Sequence, residues 1–113
     1  MRTPEARVPV GQLVRSSASV AANYRASCRA KSKRDFIAKL GTVIEESDES
    51  LFWFEYLVAT ALLTGGAVKK LKIESNELVA VFTTSQKTAR ANYARERNQR
   101  RALRRSRARK EGA

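Results

Sequence analysis

Apolar positions recur at helical spacing in three stretches of the chain. The strongest is Ile37, Leu40, Ile44, Ser47, Leu51, Phe54, Val58 and Ala61, which alternate steps of three and four residues. That is a heptad seam with one polar position, and it predicts a long helix packed lengthwise on others. Ser32 is the predicted N-cap, with Asp35 three residues on as a weak capping-box partner. The "TGG" at 64–66 is the predicted stop, because glycine takes the left-handed cap conformation without a Cβ clash. Upstream, Val10, Leu13, Ser17, Val20 and Tyr24 predict a helix over 10–30, with Pro9 in its first turn, where a helical N–H is unpaired anyway. Downstream, Leu71, Ser75, Leu78, Phe82, Ser85 and Ala89 predict a third helix, with nothing to stop it before the basic tail. "ELVAVF" (77–82) has β-branched residues, but its flanks are helical, so it is read as helix. The pattern predicts an all-α fold, three helices joined by short links.

Charge divides the chain. Of 23 Lys+Arg and 11 Asp+Glu, residues 87–113 hold 11 bases, nine of them Arg, and two Glu. Residues 1–86 are nearly balanced at +3. We therefore expect a helical-bundle domain over 1–93 and a basic, Arg-rich tail over 94–113. A net charge of +12 attracts polyanions, nucleic acid first and anionic membrane second. The 113 residues suit one domain with a modest core, and the five Gly and two Pro disfavour a many-turned β fold. A single cysteine, Cys28, excludes an internal disulfide, and the lack of histidine excludes His-based triads and His-ligated metals. No apolar run is long enough to span a membrane, and "MRTPEARVPVGQ" lacks the apolar centre of a signal peptide. The expected location is the cytoplasm, with no membrane association.

Several stretches could carry chemistry. Ala18, Ser19, Ala21, Ala22, Ala26, Ser27 and Cys28 are small and would let a neighbouring helix approach. Asn23 among them is read as a structural polar residue, paired with acids or backbone of the next helix and fixing its register. Cys28 is read as a packing residue, since no His can serve as its base, and Tyr24 as core rather than a stacking platform. Arg25, Arg29, Lys31, Lys33 and Arg34 crowd the first interhelical corner. They are either a solvated corner, favoured by the helix dipole, or a phosphate-contacting patch. In "EESDES" (45–50), Glu45 and Glu49 are expected to face Arg residues of an adjacent helix, with Glu46 and Asp48 partly solvated. Glu45 and Glu49 could instead hold a hard cation such as Mg²⁺ for a hydrolase, but the Glu-x-x-His companions of a di-iron bundle are absent. In "LFWFEYL" (51–57), only Leu51 and Phe54 fit the seam. Phe52, Trp53, Tyr56 and Leu57 point elsewhere, which suggests a self-association interface.

On a helical wheel of the tail, Arg90, Arg97, Arg101, Arg104 and Arg105 fall within about 100° of one another, with Arg100 and Arg107 on the flanks. Alone, such a segment is expected to repel itself and be disordered; opposite phosphates it would fold into a helix with an Arg stripe. Only Leu103 backs the stripe, so a membrane-inserting helix is disfavoured.

Residues 12–57 resemble the four-helix-bundle family of 23S rRNA intervening-sequence proteins. The likeness rests on Gln12, Leu13, Arg15 and Ser16; on Ser19, Val20, Ala22 and Asn23; and on Ser32, Lys33, Phe36 and Ile37. It continues through Glu45, Glu46, Asp48 and Glu49 to Trp53, Glu55 and Leu57, and residues 77–90 look like the family's last helix. The resemblance implies an antiparallel helical bundle that assembles as a ring-like homopentamer, with no enzymatic activity and no cofactor. It also points to the accessory protein of diversity-generating retroelements, a basic pentamer that binds RNA and reverse transcriptase. Only eleven residues precede Gln12, so the family's first helix is expected to be missing or shortened. The vacant bundle position would then be covered by a neighbouring chain or by the tail.

The sequence therefore predicts a non-enzymatic, oligomeric bundle that binds nucleic acid, RNA favoured, through Arg97, Arg100, Arg101, Arg104, Arg105 and Arg107. Arg25, Arg29, Lys33 and Arg34 are expected to assist. The alternative is a protein-interaction module that docks a partner such as a reverse transcriptase, with the tail only tuning solubility.

Overall fold

A computed structural model describes residues 3–112. Among these residues the chain forms three helices, α1 (Pro4–Cys28), α2 (Lys33–Ala59) and α3 (Ala67–Gly112), and no strand. The all-α expectation holds. Helix α1 starts earlier than expected: Thr3 is extended and Pro4, not Pro9, occupies the first turn. Pro9 lies one turn further in, buried, where its missing N–H removes one rung of the ladder.

Helix α2 starts where its sequence says it should. The Asp35 N–H donates to Ser32 Oγ at 3.0 Å, and Asp35 Oδ2 accepts from the Lys31 N–H at 3.2 Å. It ends before the "TGG" predicted to stop it. Ala61 takes φ 58°, the Leu62 N–H bonds the Leu57 carbonyl at 3.0 Å, and the Ala61 N–H bonds the Val58 carbonyl at 3.0 Å. This is a Schellman cap with alanine in the left-handed position that glycine usually fills. Gly65, at φ 126°, then turns the chain into α3.

Helix α2 is the middle of the molecule. Helices α1 and α3 each pack against it, and among the described residues their backbones do not pack on one another. Between α1 and α3 the rings of Tyr24 and Phe82 meet, with centroids 5.7 Å apart, and Tyr24, read as core, is exposed. A central helix must bury two rows. Leu40, Ser47 and Phe54 form one and Val43 and Leu57 border the other, all of them buried. The heptad seam contains the first row and misses the second. Leu57, expected at an oligomer interface, is fully buried in the subunit instead.

Where α1 meets α2 the close approach is carried by Ser16 and Ser50, whose hydroxyls bond at 2.8 Å. Ser16 and Ser27 are buried, whereas Ala18, Ala21, Ala22 and Cys28 are exposed, so the small-residue face is turned from the one expected. Where α3 meets α2, Gln86 Nε2 donates to the Ile37 carbonyl at 3.2 Å.

Helix α3 does not end with the bundle. The chain's radius of gyration of 20.8 Å compares with about 13 Å for a compact chain of this length, and the molecule's long dimension is 77 Å. The excess is the far end of α3, whose residues 97–112 are all exposed. Among the described residues, no helix is long and apolar enough to cross a membrane.

Candidate nucleic-acid interface

The inward face of α3 is set by Ser75, Val79, Phe82, Gln86, Ala89 and Tyr93, all half-buried. Continue that face at 100° per residue and it meets Arg97, Arg100, Arg104 and Arg107, each within about 40° of its centre. The row that packs on α2 therefore becomes a row of guanidinium groups once the helix has passed the bundle. Arg101 and Arg105 flank it on one side. The tail was expected to be disordered by itself; here it is helix to Gly112. The extension grows from a helix already nucleated in the bundle, so it meets no initiation cost. Its Arg, Ala, Gln, Leu and Glu residues also favour helix.

The exit point of α3 is the basic corner. Lys33 Nζ pairs with Glu96 Oε1. The hydrogen bond from Lys33, with the nearby charges of Arg100 and Arg95, holds the Glu96 carboxyl below its ordinary range. A cavity of about 410 Å³ lies at this junction, lined by Ser27, Cys28, Lys33, Phe36, Ala89 and Asn92 among others. Lys33 is thus engaged within the fold. Arg29, Lys31 and Arg34 are exposed around it, and Arg25 is exposed in the last turn of α1. The N-terminal end of α2 is occupied by Asp35, whose carboxylate receives Lys39 Nζ at 2.6 and 2.7 Å as well as the Lys31 N–H. These contacts, Lys39 first, keep the Asp35 carboxyl below its ordinary value.

The polar residues of the bundle depart from expectation in two places. Asn23 does not reach the next helix; its Nδ2 donates to the Ser19 carbonyl at 2.9 Å and to Ser19 Oγ at 3.1 Å, within α1. It cannot set interhelical register that way. In the acidic run, Glu49 and Glu46 pair with Arg15, the latter at 3.4 Å, while Glu45 is exposed and makes no ion pair among the described residues. The Arg15 hydrogen bond lowers the Glu49 carboxyl below its ordinary range. Among the described residues no cluster of three or more Cys, Asp or Glu is placed to hold a metal ion. Cys28, read as packing, is exposed.

Two apolar surfaces lie on different sides of α2. Phe52, Trp53 and Tyr56 form a cluster with ring centroids 4.9, 5.8 and 6.4 Å apart; Phe52 and Tyr56 are exposed, and the buried Trp53 Nε1 has no hydrogen-bond partner. The other surface is a groove of about 470 Å³ between α1 and α3. Leu13 and Val20 form one wall, Leu71 and Leu78 the other, and Ser47 and Phe54 the floor. Ser47 Oγ is buried there without a hydrogen-bond partner. The tail, one of the two expected covers, does not lie in this groove: it continues α3 away from the bundle.

Glu96 and Gln86 were not singled out by sequence reasoning. Glu96 carried a signal, standing four residues before Arg100, which is ion-pair spacing on a helix. Gln86 carries none, because the three-and-four spacing runs through its neighbour Ser85, which is exposed.

No protein-family model matches this chain, and no curated protein does. A solved structure does match. It is a protein of unknown function from the S23 ribosomal protein family of Bacteroides thetaiotaomicron VPI-5482, 31% identical, with a TM-score of 0.66. The match covers 71% of this chain and 74% of that one. Its family name is in line with the rRNA-linked family that residues 12–57 resemble.

Proposed function

We propose that this chain, which belongs to the S23 ribosomal protein family, is a non-enzymatic, self-associating helical-bundle protein that binds nucleic acid, RNA favoured, by electrostatic contacts. The observation that carries the reading is the change of the inward face of α3 from apolar to arginine where it leaves the bundle. Nothing in the subunit needs that overhang for its core, since residues 97–112 are all exposed. Like charges on a rigid rod repel, and a phosphate backbone relieves the repulsion by replacing its condensed counterions with arginine. A cytoplasmic setting suits this ligand.

Self-association is supported by the groove and the Phe52–Trp53–Tyr56 cluster. Two unlike apolar surfaces on one subunit suit a head-to-tail contact, and such contacts close into rings when the rotation allows. Five copies is the number that the family likeness implies.

One observation favours a second reading, a protein-interaction module. The groove has apolar walls and a buried, unpartnered Ser47 hydroxyl on its floor, as a site for an amphipathic helix of a partner would have; a reverse transcriptase is the partner implied by the resemblance. Removing residues 94–113 separates the two. Loss of RNA binding supports the first reading, and unchanged RNA binding supports the second.

A further inference from the structure

The overhang and the corner do not act as two separate patches. Lys33 and Glu96 fix the corner against α3 one residue before the first Arg of the stripe. From there the overhang runs sixteen residues, roughly 24 Å at helical rise. Its central arginines face the side on which the bundle lies, since they continue the row that packs on α2. The surface is therefore an elbow, with the stripe as one wall and the bundle end, carrying Arg29, Lys31 and Arg34, as the other.

We infer that this elbow holds the paired sugar–phosphate backbones of a double helix from outside, rather than a single strand. The inference rests on the nucleic-acid reading above and sharpens it. Single-strand binders stack bases on aromatic side chains. The last aromatic residue of the chain is Tyr93, half-buried in the seam, so the overhang offers no stacking platform. Insertion into a groove would call for cations on both flanks of the helix. Between residues 97 and 107 the cations reach only one flank, through Arg101 and Arg105, while the other flank, Gln99, Leu103 and Ser106, is uncharged. A one-sided stripe meeting a second basic wall at an angle fits a convex rod with phosphates on its outside. Continuity of α3 is essential, because only a straight helix keeps the stripe turned toward the corner.

The test uses the full chain and fluorescence anisotropy with three probes: an RNA duplex of about 20 base pairs, one of its strands alone, and the matching DNA duplex. The RNA duplex is expected to bind at least about tenfold more tightly than the single strand at equal salt. A DNA duplex that binds equally supports the shared backbone chemistry as the ligand; a weaker one supports the A-form geometry of RNA. Asn98→Pro keeps the net charge and breaks α3 just beyond the bundle. It is expected to erase the duplex preference while leaving single-strand affinity within about twofold, as electrostatics alone require. The triple change Arg29→Ser, Lys31→Ser, Arg34→Ser is expected to weaken the duplex more than the single strand. A single strand that binds as tightly as the duplex overturns the inference and leaves the nucleic-acid reading standing, as does a duplex preference that survives Asn98→Pro. Failure of all three probes at low salt overturns both.

Discussion

Gly41 makes the room that Gln86 occupies: a β-carbon at residue 41 would lie 3.1 Å from Gln86 Nε2, the atom that donates to the Ile37 carbonyl. The contact sets how closely α3 lies on α2. Removing the amide by Gln86→Ala is expected to cost about 1 kcal/mol, the net worth of one hydrogen bond. Gly41→Ala is expected to stay within about 1 kcal/mol of wild type, because gained helix propensity offsets the crowding of a flexible side chain. Gly41→Leu, which overfills the contact, is expected to cost about 1–3 kcal/mol. Urea denaturation checks all three; a neutral Gly41→Leu would show that α3 does not sit so close.

The cap of α2 gives a prediction of opposite sign. Ala61 holds φ 58°, a region that disfavours a Cβ by roughly 1–2 kcal/mol. Ala61→Gly is expected to raise stability by about 0.5–1 kcal/mol after the extra freedom of the unfolded chain is counted. A lower denaturation midpoint would mean that the Schellman geometry is absent in solution.

Leu57 and Phe52 separate core from interface. Leu57 is fully buried in the subunit, so Leu57→Ala is expected to destabilise it by about 2–5 kcal/mol. Phe52 is 56% exposed, so Phe52→Ser together with Tyr56→Ser is expected to leave the helix content intact and to lower the mass measured by light scattering. Unchanged mass would remove the aromatic cluster from the assembly.

Acid should loosen the bundle. Asp35, Glu49 and Glu96 have their carboxyls held down by Lys39, Arg15 and Lys33 respectively. In the unfolded chain these groups take up protons near pH 4, while in the folded chain they resist. Their contribution is complete above that ordinary range and disappears as pH falls through the lower folded values. All three sit in ion pairs at least partly open to solvent, so the effect of each is small. A pH series of denaturation midpoints should fall below about pH 4, and less steeply in the variant Asp35→Asn, Glu49→Gln, Glu96→Gln. Equal slopes would show that these pairs do not persist in solution.

Much of this was written legibly in the chain. The three helices follow from spacing alone, and the α2 start from Ser32 and Asp35, because caps and heptads are local patterns. The second buried row of α2 was not legible. Leu57 stands among Phe52, Trp53 and Tyr56, and only the placement of α1 decides which of these turns inward. The Ala61 cap was hidden because glycine four residues on was the stronger local signal. Asn23 had a partner within its own helix, one turn back, that competes with any partner across the interface. The Arg stripe was visible on a wheel, but its alignment with the inward face of α3 needed the bundle to define that face.

The overhang of α3 as a site for polyanions is tested most directly by the salt dependence of RNA binding by the full chain. With six or more phosphate contacts, affinity is expected to fall about a thousandfold or more between about 50 and 200 mM salt. An affinity that barely changes over that range, or that survives loss of residues 94–113, would contradict it.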